Sequence, residues 1–341
     1  MTDQALEMHV PRKGPATVLT AVERRLPPPA AGEVRVAIEA AGVAYADIMM
    51  RQGVYAGHKP PITPGYDLVG RVEALGPGVD GLAVGQRVAG ITVFGSYTTR
   101  RNVKAAWLAP APEGVDAARL VAVVLNGVTA WQMLHRIANP AAGEWVLVHG
   151  AGGGVGGLLL DLARIAGVRA IGTASRGKAD AVRERGGEPI DYAAEDVVAR
   201  TRALSGGGVV AAFDHLGGKH FKTVSMKALR PGGVGVLYGA YDMTRGGQVN
   251  PLAVADLLLN AQFSSLGLFG KGQGVVAYSA EPWRDQRPSA YQTDLAIVLK
   301  LVGDGVLTPL VGETFPLRAA SEAHRALETR SVAGKIVLLN D

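Results

Sequence analysis

The 341-residue chain contains no cysteine. Disulfide bonds and a thiol nucleophile are therefore excluded, and any zinc site would have to be built from histidine, aspartate and glutamate alone. The 7 histidines show no metal-ligand spacing along the sequence, so no metal site is expected. His149, which ends an apolar stretch, is interpreted as a core residue rather than a catalyst.

Aromatic residues are also scarce, at 6% of the chain, and no stacking motif for nucleic-acid bases is present. The net charge of +5 comes from scattered basic residues. This favours a solvated basic surface that also suits an anionic cofactor over a nucleic-acid partner. No apolar run reaches the roughly 18–20 residues that span a bilayer, and the N-terminal stretch lacks the apolar segment of a secretory signal. We therefore expect a cytoplasmic protein with no membrane partner.

The length predicts two domains. Residues 1–124 alternate short apolar strands with glycine and proline turns, which is typical of a barrel-like β domain. Residues 125–269 change to a strand–helix–strand rhythm, which predicts a doubly wound parallel sheet that ends in a strand at 263–269. Lys335–Leu339 is predicted to be a closing strand of the first domain. Residues 270–341 would then complete that domain, with the parallel sheet as an insertion.

A glycine-rich turn between two apolar strands, 145–149 and 168–173, is the most informative segment. The turn leads directly into an apolar helix. In that context the amides and the positive dipole end of the helix are well placed to bind a pyrophosphate. The candidate residues are Gly152, Gly153, Gly154 and Val155.

The end of the second strand indicates which dinucleotide is bound. Enzymes that use NAD usually place an acidic residue there to bind the ribose 2′-hydroxyl. This chain has Ser175, Arg176 and Lys178 instead, with no acid before Asp180. Hydroxyl donors and positive charge suit a 2′-phosphate, so NADPH is the predicted cofactor. The alternative is that Ser175 caps a helix beside solvated cations.

Further candidates follow from the predicted sheet. Tyr238, Gly239 and Leu268 are predicted at carboxyl ends of parallel strands, where ligands of such sheets bind. Asn126 is a polar residue near the start of the same region and is a candidate for the active site.

Several segments together resemble the medium-chain dehydrogenase/reductase superfamily: 42–55, 61–73, 76–79, 84–88 and 151–156. Within it the chain is similar to the zinc-independent quinone oxidoreductase (zeta-crystallin) branch, which resembles enoyl reductases. The likeness extends over essentially the whole chain. It implies a GroES-like β-barrel catalytic domain with an inserted Rossmann domain. It also implies a homodimer in which the edges of two Rossmann sheets pair across a two-fold axis.

The resemblance assigns roles to four residues. Tyr55 matches a tyrosine beside the nicotinamide that orients or protonates the substrate, and Thr129 matches a threonine that faces the nicotinamide. Tyr192 is expected near the adenosine ribose-phosphate, and Arg330 matches a late basic residue that approaches the cofactor. Packing roles remain the alternative for Tyr55, Thr129 and Tyr192.

The chain also departs from the family pattern. Ala44 stands where quinone reductases commonly carry asparagine, and 65–67 read Gly-Tyr-Asp where zinc-dependent members carry Gly-His-Glu. Without zinc, hydrogen bonds must polarise the substrate. The expected function is NADPH-dependent hydride transfer to an activated alkene, such as an α,β-unsaturated carbonyl, or to a quinone. The alternatives are a zinc-free carbonyl reductase or alcohol dehydrogenase, and a non-enzymatic NADPH-binding protein of the crystallin or RNA-binding type.

Overall fold

The computed structural model describes residues 3–245, 248–329 and 332–340. In chain order the strands are β1 (Gln4–His9), β2 (Thr20–Arg25), β3 (Glu33–Val43), β4 (Asp67–Leu75), β5 (Arg87–Ile91), β6 (Arg100–Lys104), β7 (Leu108–Pro110), β8 (Trp145–Val148), β9 (Arg169–Ala174), β10 (Gly187–Asp191), β11 (Val209–Asp214), β12 (Leu229–Leu237), β13 (Thr244–Arg245), β14 (Gln248–Val249), β15 (Gly274–Ala277), β16 (Val311–Pro316) and β17 (Lys335–Leu339). The α-helices are α1 (Tyr45–Gln52), α2 (Ala117–Trp131), α3 (Gly154–Ile165), α4 (Ala179–Glu184), α5 (Val197–Ser205), α6 (Gly218–His220), α7 (Met226–Ala228), α8 (Pro251–Asn260), α9 (Ser265–Lys271), α10 (Ala280–Gln286), α11 (Pro288–Gly303) and α12 (Ala320–Thr329).

The first compact unit, unit 1, comprises Met1–Val128, Arg245–Val249 and Ala280–Asp341. It contains a sheet in the order β16-β17-β3-β4-β5-β7, with β6 also paired to β3. Alternating apolar side chains from β3, β4 and β5 form its core, as period-2 patterning predicts. The predicted closing strand is confirmed, because β17 pairs antiparallel with β3.

The second unit, unit 2, comprises Thr129–Thr244 and Asn250–Ser279. Its six strands are all parallel and run in the order β10-β9-β8-β11-β12-β15. Parallel sheets are covered on both faces, which explains why β8 and β11 read as nearly continuous apolar runs. The predicted doubly wound sheet is therefore confirmed.

The predicted strand at 263–269 is wrong. This segment forms α9, which begins after Ser264, whose hydroxyl accepts a hydrogen bond from the Gly267 amide, and ends at Gly272 in the left-handed conformation. A short apolar run does not separate strand from helix by periodicity, and here both helix caps were present in the sequence. The last strand of the sheet is β15, so the chain returns to unit 1 at Ala280 rather than at 270.

Among the residues that the structure describes, one helix has the length and composition of a membrane span, and a bent pair of helices has them if the pair is taken as one span. The single helix is Ala117–Ala138, in which α2 continues through a π-helical turn; its most apolar window is 72% buried inside the protein, as in a core helix. The sequence expectation that no apolar run is long enough to span a bilayer is therefore wrong for Ala117–Ala138. The bent pair is α8 and α9, which are long and apolar enough only together and meet at an angle of 70° at their break.

Candidate cofactor and catalytic site

The glycine-rich turn lies between β8 and α3, at the carboxyl end of the parallel sheet. Gly153 is the N-cap of α3, so Gly154 and Val155 form its first turn. A Cβ at Gly156 would lie 2.3 Å from the Gly150 carbonyl oxygen, and one at Gly152 would lie 2.7 Å from Lys178 Cδ. The turn therefore requires glycine at Gly156, where the close atom belongs to the backbone, whereas at Gly152 the neighbour is a flexible lysine side chain. It leaves the amides at the start of a twelve-residue helix as a cradle that fits a pyrophosphate.

The basic segment after β9 lies beside this turn. Ser175, Arg176 and Lys178 are all exposed, and the aliphatic part of Lys178 packs over Gly152. The Ser175 side chain makes no capping hydrogen bond, so the helix-cap alternative has no support in the geometry. An exposed serine and two exposed cations next to a phosphate cradle fit a second phosphate group.

The other predicted cofactor contacts fall at three places. Tyr192 is 59% exposed and follows β10, while Tyr238 and Gly239 follow β12 at the same edge of the sheet. Leu268 lies in α9 and packs against the core below the sheet, so its assignment to a strand end is wrong. Arg330 lies outside the described residues.

Asn126 and Thr129 lie three residues apart on α2 and therefore share a face of that helix. Thr129 is buried, and Asn126 is half-buried.

Tyr55 belongs to a pair of phenols in unit 1. Its hydroxyl lies 3.0 Å from the hydroxyl of Tyr66, which is buried. Burial raises the pKa of Tyr55; the hydrogen bond from Tyr66 opposes this shift, and the nearby Glu281 carboxylate adds to it. Tyr55 is therefore a neutral hydroxyl at ordinary pH, with a proton available to an oxygen that gains negative charge.

His58 adds a polar flank to this pair. Its ring centroid lies 5.9 Å from that of Tyr55, and its Nε2 lies 3.1 Å from a carboxylate oxygen of Glu281. On its other side the ring contacts Phe94, with a centroid distance of 5.2 Å. Sequence reasoning missed His58 and Glu281, because they are 223 residues apart and carry no local motif.

Asp47 holds the backbone at two places, the start of α1 and the residue before Tyr66. It is fully buried and accepts hydrogen bonds from the amides of Ala44 and Gly65, at 2.8 and 2.9 Å. Burial raises its pKa to about 7; the two amide hydrogen bonds and the Lys335 ammonium oppose the shift. The residues after these two amides are Tyr45 and Tyr66, so Asp47 couples the start of α1 to the position of Tyr66.

Unit 2 brings together one set of side chains of the kind that bind metals. The ligand atoms of His149, Asp214 and His220 all lie within 4.8 Å of one another. Sequence spacing did not reveal this cluster, because His149 follows β8 whereas Asp214 ends β11 and His220 lies in α6. Ser225 Oγ lies among them, 3.1 Å from His149 Nε2 and 2.5 Å from an Asp214 oxygen. This is the pattern of a hydrogen-bond network rather than of metal ligands.

The family comparisons cover most of the chain. Residues 30–113 match the alcohol dehydrogenase GroES-like domain, and residues 186–338 match the zinc-binding dehydrogenase family. The synaptic vesicle membrane protein VAT-1 homolog of Rattus norvegicus is 31% identical over 92% of this chain and 78% of its own length. A Burkholderia 2-haloacrylate reductase is 32% identical over 91% of this chain and 92% of its own. This chain belongs to the medium-chain dehydrogenase/reductase superfamily.

A solved structure agrees with this membership. The Escherichia coli quinone oxidoreductase complexed with NADPH superposes with a TM-score of 0.84 at 27% identity, covering 98% of this chain and 99% of that one. The superfamily fold, a GroES-like domain with a Rossmann-type parallel sheet, is therefore the fold of this chain.

Asp67 stands where zinc-dependent members of the superfamily carry the glutamate of Gly-His-Glu. Here it accepts hydrogen bonds from the amides of Gly42 and Leu125, both at 3.0 Å, and its second oxygen lies 3.4 Å from Lys335 Nζ. The lysine cation thus provides the charge partner of this buried carboxylate. Tyr66, in place of the histidine, bonds to Tyr55 instead.

Proposed function

We propose that this chain is an NADPH-dependent reductase of an activated alkene, in particular an α,β-unsaturated carbonyl, or of a quinone. The observation that carries the proposal is the Tyr55–Tyr66 hydroxyl pair, at 3.0 Å, on a medium-chain dehydrogenase/reductase scaffold without cysteine. A neutral phenol donor suits a substrate whose oxygen gains charge as hydride is added elsewhere in the conjugated system. The similarity to a 2-haloacrylate reductase and to a quinone oxidoreductase supports the same class.

Cofactor choice is part of the proposal. When bound, NADPH supplies the hydride. Arg176 and Lys178 would hold the 2′-phosphate, and the amides at the start of α3 would hold the pyrophosphate. The NADPH named with the similar E. coli structure supports this choice.

The protein itself contributes a proton donor, the hydroxyl of Tyr55. Tyr55 keeps its phenolic proton because burial raises its pKa, and Tyr66 fixes the orientation of that hydroxyl. Donation from Tyr55 to the substrate oxygen leaves a phenolate that the Tyr66 hydroxyl stabilises by a hydrogen bond. The buried position of Tyr66 keeps this partner from rotating into solvent.

Turnover of one enone and one quinone, with NADPH and NADH in parallel, tests the function. We expect NADPH oxidation and, from the enone, the saturated ketone. Formation of the allylic alcohol would favour a carbonyl reductase instead. Tight NADPH binding with no turnover on either substrate would favour a non-enzymatic protein.

A homodimer and a cytoplasmic location complete the proposal. Five large apolar side chains on α8 and α9 are at least 69% exposed, directly before β15 at the end of the sheet: Leu252, Leu258, Leu259, Leu266 and Phe269. An apolar surface beside a sheet edge suits a second copy of the chain. Light scattering at micromolar concentration should give twice the mass of the chain; a monomer would contradict the dimer. The absence of cysteine is consistent with a reducing compartment.

A further inference from the structure

A continuous chain of hydrogen bonds runs through the carboxyl ends of three adjacent strands in unit 2. It passes from the Gly150 amide to Thr173 Oγ1 at 3.3 Å, and from Thr173 Oγ1 to His149 Nδ1 at 3.2 Å. It continues from His149 Nε2 to Ser225 Oγ at 3.1 Å and from Ser225 Oγ to Asp214 at 2.5 Å. His220 Nδ1 meets the same Asp214 oxygen at 2.8 Å.

The two end groups, the Gly150 amide and the Asp214 carboxylate, determine which atom donates in each hydrogen bond between them. An ionised Asp214 only accepts, so Ser225 donates its proton to Asp214 and must accept from His149 Nε2–H. His149 Nδ1 is then unprotonated and accepts from the Thr173 hydroxyl. That leaves a lone pair of Thr173 for the Gly150 amide, which only donates. Burial lowers the pKa of His149 to about 3, in agreement with a neutral ring.

Thr173 lies between the two phosphate-binding segments. Its hydroxyl receives the Gly150 amide, its carbonyl oxygen accepts from the Ala151 amide at 3.0 Å, and Ser175 follows two residues later. The Gly150 carbonyl in turn accepts from Gly153 and packs against Gly156. The conformation of the glycine-rich turn is therefore tied to Gly150, and Gly150 is tied to Thr173.

We infer that His149, Ser225 and Asp214 are positioning residues that orient the Thr173 hydroxyl and thereby hold the glycine-rich turn in its cofactor-binding conformation. Without His149 Nδ1 as acceptor, the Thr173 hydroxyl would turn its proton elsewhere and compete with the Gly150 amide. The inference rests on the proposed NADPH binding but not on the identity of the substrate. It differs from a core-packing role, which would depend on the shape of the imidazole and not on its proton.

Matched substitutions separate orientation from packing. Thr173→Ser keeps the hydroxyl and Thr173→Val keeps the shape; His149→Asn keeps an acceptor toward Thr173, whereas His149→Gln keeps only the donor toward Ser225. NADPH affinity, measured by fluorescence without substrate, should fall about tenfold in Thr173→Val and His149→Gln. In the first variant the Gly150 amide loses its acceptor, and in the second the Thr173 hydroxyl does. Thr173→Ser and His149→Asn should stay within about threefold, because the oriented contact survives. Ser205→Ala, which removes a hydroxyl at the end of α5, is the control in the same unit.

A second measurement tests the hydrogen bonds that link Thr173, His149, Ser225 and Asp214, called the relay below, in protein without cofactor. In ¹⁵N-histidine-labelled protein, with His149 assigned from the spectrum of His149→Gln, the ring should be the Nε2–H tautomer and should stay neutral from pH 7 to 5. The titratable groups around it are Asp214, His220 and His215. An Nδ1–H tautomer or a cationic ring would overturn the relay, as would equal NADPH affinity in folded Thr173→Val and Thr173→Ser. Failure of the wild-type protein to bind NADPH would instead overturn the proposed function, and the tautomer would still decide the relay.

Discussion

Each unit buries a histidine within a series of linked hydrogen bonds. The first donor of the series is a neutral hydroxyl in unit 2 and a charged guanidinium in unit 1. In unit 2 a neutral hydroxyl, Thr173, donates to His149, which donates to Ser225 and so to Asp214. In unit 1 a guanidinium, Arg51, donates to His324 at 2.9 Å; His324 meets the Tyr97 hydroxyl at 3.1 Å, and Tyr97 donates to Asp47 at 3.2 Å. Burial lowers the pKa of both histidines to about 3.

The difference lies in charge. The hydrogen-bond series of unit 1 has the Arg51 cation at one end and the Asp47 carboxyl group at the other. Arg51 also pairs with Glu328. The unit 2 chain has a single carboxylate, with the half-buried His220 beside it. Loss of Arg51 leaves the nearly buried Glu328 carboxylate without its cation. A chain that begins at a hydroxyl can lose a partner at the cost of one hydrogen bond.

Replacing the cation should have the largest effect. Arg51→Met leaves Glu328 and His324 Nδ1 without their donor and should lower the free energy of unfolding by about 3–5 kcal/mol, the range for breaking a buried pair. Arg24→Met is the matched control: Arg24 pairs with Glu7 but is 49% exposed, and its loss should cost less than about 1 kcal/mol. Denaturant unfolding of both variants decides the matter. A loss for Arg51→Met no larger than the control's would contradict the charge difference between the chains.

Tyr55→Phe tests whether unit 1 supplies the chemistry. Loss of one preorganised donor should lower turnover by about 10²–10³ in the strongest case, while NADPH affinity stays unchanged. Tyr66→Phe should lower turnover less, by roughly tenfold, because Tyr55 keeps its proton and loses only its orienting partner. Steady-state rates on a good enone, together with NADPH titration, separate the two effects. Full turnover by Tyr55→Phe would make Tyr55 a packing residue, and the donor would then be sought at Tyr45, Asn126 and Thr129.

The corresponding test in unit 2 should change cofactor affinity and leave the chemical step alone. Arg176→Ala combined with Lys178→Ala removes two exposed charge-assisted contacts and should weaken NADPH by about ten- to a hundredfold, with NADH almost unaffected. Arg183→Ala combined with Arg200→Ala is a control of equal charge at two exposed positions of the same unit. Equal losses for NADPH and NADH, or an equal loss in the control, would argue against the 2′-phosphate contact.

The sequence predicted those features that depend on neighbouring residues. The glycine turn, the basic segment after β9 and the closing strand β17 all follow from local pattern, and the structure has each of these segments. The two relays did not follow, because His149 and Ser225 are 76 residues apart and Arg51 and His324 are 273 apart. The packing of helices on strands and on each other brings them together, since Arg51 lies in α1, His324 in α12 and Ser225 in a helical segment. A single sequence carries no periodicity for such contacts. Helix α9 was missed for another reason: a seven-residue apolar segment fits a strand or a helix, and only the caps at Ser264 and Gly272 distinguish them.

The smallest predicted effect is a difference in acid sensitivity between the units. Each neutral histidine, with a pKa lowered from 6.5 to about 3, binds its proton only after unfolding, so its contribution to stability is lost as pH falls below 6.5, at up to about 1.4 kcal/mol per pH unit. Asp47 acts in the opposite sense: its pKa is raised from 3.8 to about 7, so its contribution is lost as pH rises through that interval. In unit 1 the slopes of His324 and Asp47 therefore oppose each other between about pH 4 and 6.5. In unit 2 the slope of His149 is opposed by Asp161, whose pKa burial raises while its partner Arg185 holds the rise back. Asp214, whose pKa is lowered by His220, His149 and Ser225 despite its burial, adds to the slope of His149 at lower pH.

Hydrogen exchange at pH 6.5 and 5.0, corrected for the intrinsic rates, measures this difference strand by strand. Protection of β8 and β11 should fall more than that of β3 and β4. Asp47→Asn should make the strands of unit 1 at least as acid-sensitive as those of unit 2, because the opposing slope is gone. If the wild-type strands of both units lost protection equally on acidification, the opposing contribution of Asp47 would be refuted. The two buried histidines would then differ in their hydrogen-bond partners and tautomers, and not in the acid sensitivity of the units that contain them.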